Sequence, residues 1–165
     1  MAVISKFPWC LALWCSVSHA FASARSTKDD TEPIPIVVTT WANQGFVAAT
    51  DRAWRHLQTT GDRLGAVVEG CSACEEMQCD RSVGYGGSPD ESGETTVEAL
   101  LMDGPRHRMG AVGDLRRVKS ASRVAYAVMN YTKHSLIVGE SATKFAIEMG
   151  FTEESLQTDE SKKMY

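Results

Sequence analysis

The sequence predicts an α+β, or layered, fold on three observations. Strand-like and helix-like apolar patterns alternate along the chain. A period-two stretch on each side of Gly104-Pro105 reads as an antiparallel pair. Hydrophobic residues make up 43% of 165, close to the globular norm and enough for about one domain.

The first 24 residues are expected to be a secretory signal. Lys6 gives a positive start, Phe7 to Val17 an apolar stretch, and Ser18 to Ala24 a small-residue end. Ala20-Phe-Ala22 and Ala22-Ser-Ala24 both suit signal peptidase. The apolar stretch is shorter than the roughly 20 residues of a membrane span. Cleavage would remove Cys10, Cys15 and His19 and send the chain into the secretory pathway, to a lysosome or the exterior. Residues 25–32 read as a polar leader, 33–151 as the folded domain and 152–165 as a frayed polar tail.

Within the domain, Ile34 to Trp41 is β-branched and nearly continuously apolar, as a buried strand would be. After Gln44 and Gly45, Phe46 to Leu57 has helical spacing, with Asp51 and Arg55 four apart, and Gly61 ends it. Arg63 to about Met77 reads as a second helix with Leu64, Val67, Val68, Cys71 and Cys74 on one stripe. Thr95 to Asp103 and Met109 to Asp114 form the strand pair. Lys119 to Asn130 is a helix, His134 to Gly139 a short buried strand, and Glu140 to Gly150 a helix with Ser141 as N-cap and Gly150 as C′.

In an oxidising compartment, Cys71, Cys74 and Cys79 leave an odd thiol. Cys79 falls just after the helix, where the chain can turn back, so the expected bridge is Cys74–Cys79, with Cys71 a buried free thiol. Cys71-x-x-Cys74 has zinc spacing, but no second pair follows and the histidines are scattered, so no metal is expected. Three glycines in Gly84-Tyr-Gly-Gly87 suit tight turns, not a phosphate-binding loop.

A formal charge of −4 argues against nucleic-acid or anionic-membrane partners. The basic run from Arg106 to Arg123, and the acidic Asp90, Glu91 and Glu94, read as solvated. Asn130-Tyr-Thr132 is an N-glycosylation acceptor triplet. No Gly-x-Ser-x-Gly elbow is present. His56, His107 and His134 lack carboxylate partners in sequence. Composition and spacing alone support a secreted, disulfide-bearing α+β domain.

A set of ordered motifs adds to this. They are Val37-Val-Thr-Thr-Trp41, Ala53-Trp54, Val68-Glu-Gly-Cys71, Cys79-Asp-Arg-Ser-Val-Gly-Tyr-Gly-Gly-Ser-Pro-Asp90, Gly93-Glu-Thr-Thr96, Gly110-Ala-Val-Gly-Asp-Leu-Arg-Arg117, Leu136-Ile-Val-Gly-Glu-Ser-Ala-Thr143 and Met149-Gly-Phe151. With them, residues 33–151 resemble the first part of a glycosylasparaginase precursor.

The resemblance implies the α-chain part of an αββα N-terminal nucleophile hydrolase, incomplete without its β chain. It further implies a dimer of such pairs acting on glycosylated asparagine, with no cofactor. Its nucleophile would be a threonine whose own freed α-amine accepts the hydroxyl proton. On the same resemblance, Trp41 would wall the substrate pocket and Ser82 would hold the threonine's amine. Phe46 would stand for a family aromatic that comes two residues after the tryptophan, here delayed as if three residues were inserted. The family's His-Asp-Thr-Ile-Gly cleavage motif is not found, so this polypeptide alone is expected to be inactive. Two other readings are a truncated non-catalytic secreted paralogue and an L-asparaginase or isoaspartyl peptidase of the same family.

Overall fold

A computed structural model describes residues 34–82 and 84–164; the signal and leader readings lie outside these residues. Helix α1 (Gln44–Thr60) starts at Asn43, whose Oδ1 accepts the Phe46 N–H at 3.2 Å, and stops at Gly61 in the left-handed region. Asp62 then caps α2 (Arg63–Met77), accepting from the Leu64 N–H at 3.0 Å. The two helices touch closely because Gly70 has no side chain. A Cβ there would meet that of Ala53 at 2.9 Å.

The strands are β1 (Thr96–Asp103), β2 (Arg108–Arg116) and β3 (Leu136–Val138), in the order β1-β2-β3. β1 pairs antiparallel with β2, and β3 runs parallel to β2. A register shift between Val97 and Ala99 accompanies the positive φ of Asp114. Helix α3 (Ala121–Tyr131) connects β2 to β3, and α4 (Gly139–Glu148) follows β3.

One face of the sheet is covered. Val97, Val112 and Leu115 pack there with Val124, Val128 and Ala146, while Leu101 and Met129 meet Leu64 and Val68 of α2. Gly110 lets α3 lie directly on β2, since a Cβ at this position would run into the Ala125 carbonyl. The Thr143 hydroxyl, fully buried, accepts from the Arg116 N–H and donates to the Arg116 carbonyl, both at 3.0 Å, fastening α4 to β2.

Five expectations need correcting. The short strand β3 is not buried: Leu136 and Val138 are 53 and 55% exposed, because no described layer covers that face of the sheet. Residues 34–41 do not form a strand; no described strand lies alongside to take their hydrogen bonds, and Ile36 and Val38 are exposed. The stripe of α2 divides: Leu64, Val68 and Cys74 are buried, whereas Val67 and Cys71 are exposed because they face a cavity instead of the sheet. Helix α4 begins at Gly139 after Val138, with no side-chain cap, although Gly150 does take the positive φ of a C′ glycine. The tail is not frayed. Leu156 is buried in the main core, the Gly86 N–H donates to its carbonyl at 2.7 Å, and Ser161 is buried at α5 (Asp159–Met164).

Candidate functional site

The first candidate site is an apolar cavity of about 480 Å³ between residues 36–41 and the facing sides of α1 and α2. Trp41 and Phe46 share its wall, with ring centroids 6.0 Å apart and planes 22° from parallel. Ala49, Ala53 and Gly70 make its floor, small residues already required by the helix contact. Cys71 and Cys74 border the same space.

A disulfide joins Cys74 to Cys79 across a Cα separation of 5.1 Å. It closes the turn after α2, where Gln78 adopts a left-handed conformation and its N–H donates to the Cys74 carbonyl. Cys79 in turn abuts Gly45, where a Cβ would lie 2.9 Å from the Cys79 Cα, and its carbonyl accepts from Asn43 Nδ2 at 3.4 Å. The disulfide loop is thus tied to the start of α1. Trp41 lies two residues before one end of that tie, and Ser82 three residues after the other.

Ser82 is exposed and not among the described cavity-lining residues. Its N–H and Oγ–H both donate to Asp80 Oδ1, at 3.0 and 2.6 Å, a local turn that fixes the hydroxyl and holds the Asp80 carboxyl below its usual range. Cys71 is a free thiol, exposed where a buried one is expected; its place at the cavity edge beside Glu75 pushes its pKa up, chiefly through desolvation. Asn130 is half-buried in the last turn of α3, its Nδ2 donating to the Tyr126 carbonyl at 2.9 Å.

Several of the charges read as solvated are instead paired, while Glu91 is exposed as expected. Arg116 binds Asp114 and Glu94, with Asp90 nearby, and Arg117 holds Glu140 at 2.6 Å and Glu153 at 2.7 Å. Asp90 also caps its own loop, accepting from the Ser92 N–H, the Ser92 hydroxyl and the Glu94 N–H. Asp103 is fully buried beneath Arg63, Arg106 and Arg108, which are themselves well exposed; the hydrogen bond from Arg63 is the main cause of its lowered pKa. Among the described residues, no group of three or more His, Cys, Asp or Glu is placed to hold a metal ion. No described helix is long and apolar enough to cross a membrane.

Sequence reasoning missed Glu75. It is only 6% exposed, and burial pushes its pKa up to about 7 against two opposing hydrogen bonds from the Ser122 N–H at 2.8 Å and the Ser122 hydroxyl at 3.2 Å. Periodicity contained the signal, since 75 follows Val68 by seven residues on the covered face of α2. Its neighbour Gly84, at a φ of 80°, presses against it: a Cβ there would lie 2.7 Å from the Glu75 carbonyl oxygen.

Residues 19–165 match the Asparaginase_2 family, described as asparaginase. The N(4)-(beta-N-acetylglucosaminyl)-L-asparaginase of Mus musculus is 53% identical over 133 residues, covering 81% of this chain and 38% of the mouse protein. The Rattus norvegicus protein of the same name is 52% identical over 133 residues, with the same two shares, 81% and 38%. The chain thus spans a little over a third of the length of the curated relatives it matches. On the match over residues 19–165, the chain belongs to the asparaginase family.

Proposed function

We propose that this chain is the scaffold part of a glycosylasparaginase, an amidohydrolase that cleaves the bond between N-acetylglucosamine and the asparagine side chain during lysosomal glycoprotein breakdown. Its threonine nucleophile would come from a second polypeptide segment, the β chain of the same precursor. The observation that carries this reading is the uncovered face of the sheet. Leu100 and Met102 of β1, with Leu136 and Val138 of β3, are between 53 and 63% exposed there, and Ala111 lies between them in the register. An apolar face this continuous is unusual on a free surface. A second sheet laid across it would complete two sheets between two helix layers.

In this reading, residues 34–41 become a strand when the second segment supplies a neighbour, which fits their β-branched composition. Trp41 and Phe46 wall the substrate pocket, and the small floor of α1 and α2 leaves it room. Ser82, its hydroxyl fixed by Asp80, accepts a hydrogen bond from the threonine α-amine and keeps it beside the threonine hydroxyl. That amine takes the hydroxyl proton as the oxygen attacks the amide carbon, and returns a proton to the leaving glycosylamine. Two such pairs assemble into a dimer.

Aspartate release from N4-(β-N-acetylglucosaminyl)-asparagine tests the proposal. The full chain alone should release none. Co-expressed with the portion of the mouse relative that its match leaves uncovered, it should turn over the substrate, and Trp41→Ala should then raise KM. Release by the purified chain alone, or a soluble complex with no activity, overturns the reading.

A further inference from the structure

A surface groove of about 460 Å³ on the helix layer has no part in the proposed reaction. It runs between α2 and α3 and is lined by His56, Asp62, Glu69, Arg123, Tyr126 and Tyr131, among others. Its make-up is mixed: flat rings that can take the apolar face of a sugar, and carboxylate and guanidinium groups that can bind hydroxyls. Beside it, on α3, stands Asn130, the acceptor of Asn130-Tyr-Thr132. Asn130 shares a helix face with Tyr126 and Ala127, four and three residues before it, and both of these line the groove.

We infer that Asn130 carries an N-linked glycan whose first sugar lies in this groove, so that the chain covers the helix layer with its own carbohydrate. A carboxamide nitrogen has two N–H bonds. One is directed at the Tyr126 carbonyl at 2.9 Å, and the other is left for substitution. Glycosylation therefore does not cost this contact, which fixes the amide plane that carries the sugar. Tyr131, 70% exposed, stands over the same edge with no described aromatic or cation partner.

In the transfer itself, Asn130 Nδ2 attacks the anomeric carbon of a lipid-pyrophosphate-linked oligosaccharide. A C–N bond forms, the C–O bond to pyrophosphate breaks, the nitrogen gives up one proton, and the lipid pyrophosphate leaves. In the folded chain, the Thr132 hydroxyl of the triplet is engaged with the Val128 carbonyl at 2.8 Å. Transfer thus precedes closure of the last turn of α3.

The inference rests on the secretory routing proposed above, so the full chain is expressed twice, with its own N-terminus and behind an independent secretion signal. Enzymatic deglycosylation in 18O-water, read by mass spectrometry, marks a modified Asn130 as labelled aspartate. Labelling in the second product is expected. Its absence there overturns the proposal, whereas absence only in the first overturns the routing. For the groove, the rate of release by peptide N-glycosidase from native protein is compared for wild type and Tyr131→Ala. Loss of the ring should speed native release about tenfold and leave the rate on denatured chain unchanged. Equal native rates would show that the sugar does not lie in the groove.

Discussion

Replacing Glu75 by Gln should stabilise the protein at neutral pH and leave it unchanged in acid. Folding removes Glu75 from water, and its pKa rises from 4.5 to about 7 because burial penalises the charged form more than Ser122 and Arg123 favour it. A carboxyl whose folded pKa lies above its unfolded one binds its proton more tightly when folded. Its contribution is therefore fully present below about pH 4.5 and is lost as pH rises through about 7. At 1.36 kcal/mol per unit, that loss is about 3 kcal/mol. Glutamine keeps a carbonyl oxygen for the Ser122 N–H and cannot ionise, so the variant should escape the loss.

Urea or thermal unfolding of both full chains at pH 5.0 and 8.0 measures this directly. The expected result is a difference of no more than about 1 kcal/mol at the lower pH and an advantage of about 3 kcal/mol for Glu75→Gln at the higher, about 10 °C in Tm for a domain of this size. The window is well chosen, because Glu69, Asp80, Asp90 and Asp103 have lowered values and lose their contributions only at more acid pH. Taking the difference between variant and wild type cancels every other titrating group. If the two chains keep the same slope between pH 5 and 8, Glu75 is not ionising in place and the reasoning is wrong. A wild type that gains stability on acidification would suit the acidic compartment of the proposed function.

Three more perturbations follow from the packing. Gly110→Ala should cost about 3 kcal/mol or prevent folding, read by denaturant midpoint, because the added methyl meets the backbone of α3 instead of a movable side chain. Removing the bridge with Cys74→Ser and Cys79→Ser should cost about 2 kcal/mol on chain-entropy grounds, with faster proteolysis at residues 78–90 as the local signature. Leu156→Ala should cost about 3 kcal/mol in the same melts, since the side chain is 3% exposed in the main core; a neutral result would mean that the tail is dispensable.

Element type was legible wherever local rules decide it. The end of α1 follows from Gly61, and the β1–β2 pair from alternation on either side of Gly104-Pro105, whereas sequence spacing misses the cap at Asn43 and the helix starts two residues earlier than expected. The misreadings have a common cause, that the deciding partner is distant in sequence. Residues 34–41 have strand composition without a described neighbour to bond. Cys71 has core spacing but faces a cavity made by α1. The tail looks polar, yet the single side chain of Leu156 is enough to seat it in the core. Arg116 and Arg117 read as a basic run because, apart from Asp114 two residues before Arg116, their acids stand 22 to 36 residues away.

For the site, sequence alone brought out Trp41, Phe46 and Ser82 through resemblance, and no rule of spacing would have joined them. The tie from Asn43 to Cys79 relates them, and it depends on Gly45 having no side chain. β1 holds a further signal. Val97, Ala99 and Leu101 alternate with Leu100 and Met102, so the strand is apolar on both faces along its second half. A strand that expects water on one side alternates with polar residues; one apolar on both sides is made for a sheet covered twice. The described helices cover only the side of Val97 and Leu101. The composition of β1 and the bare face beside it thus make the same demand, for a layer on the side of Leu100 and Met102, and the proposed second sheet meets it.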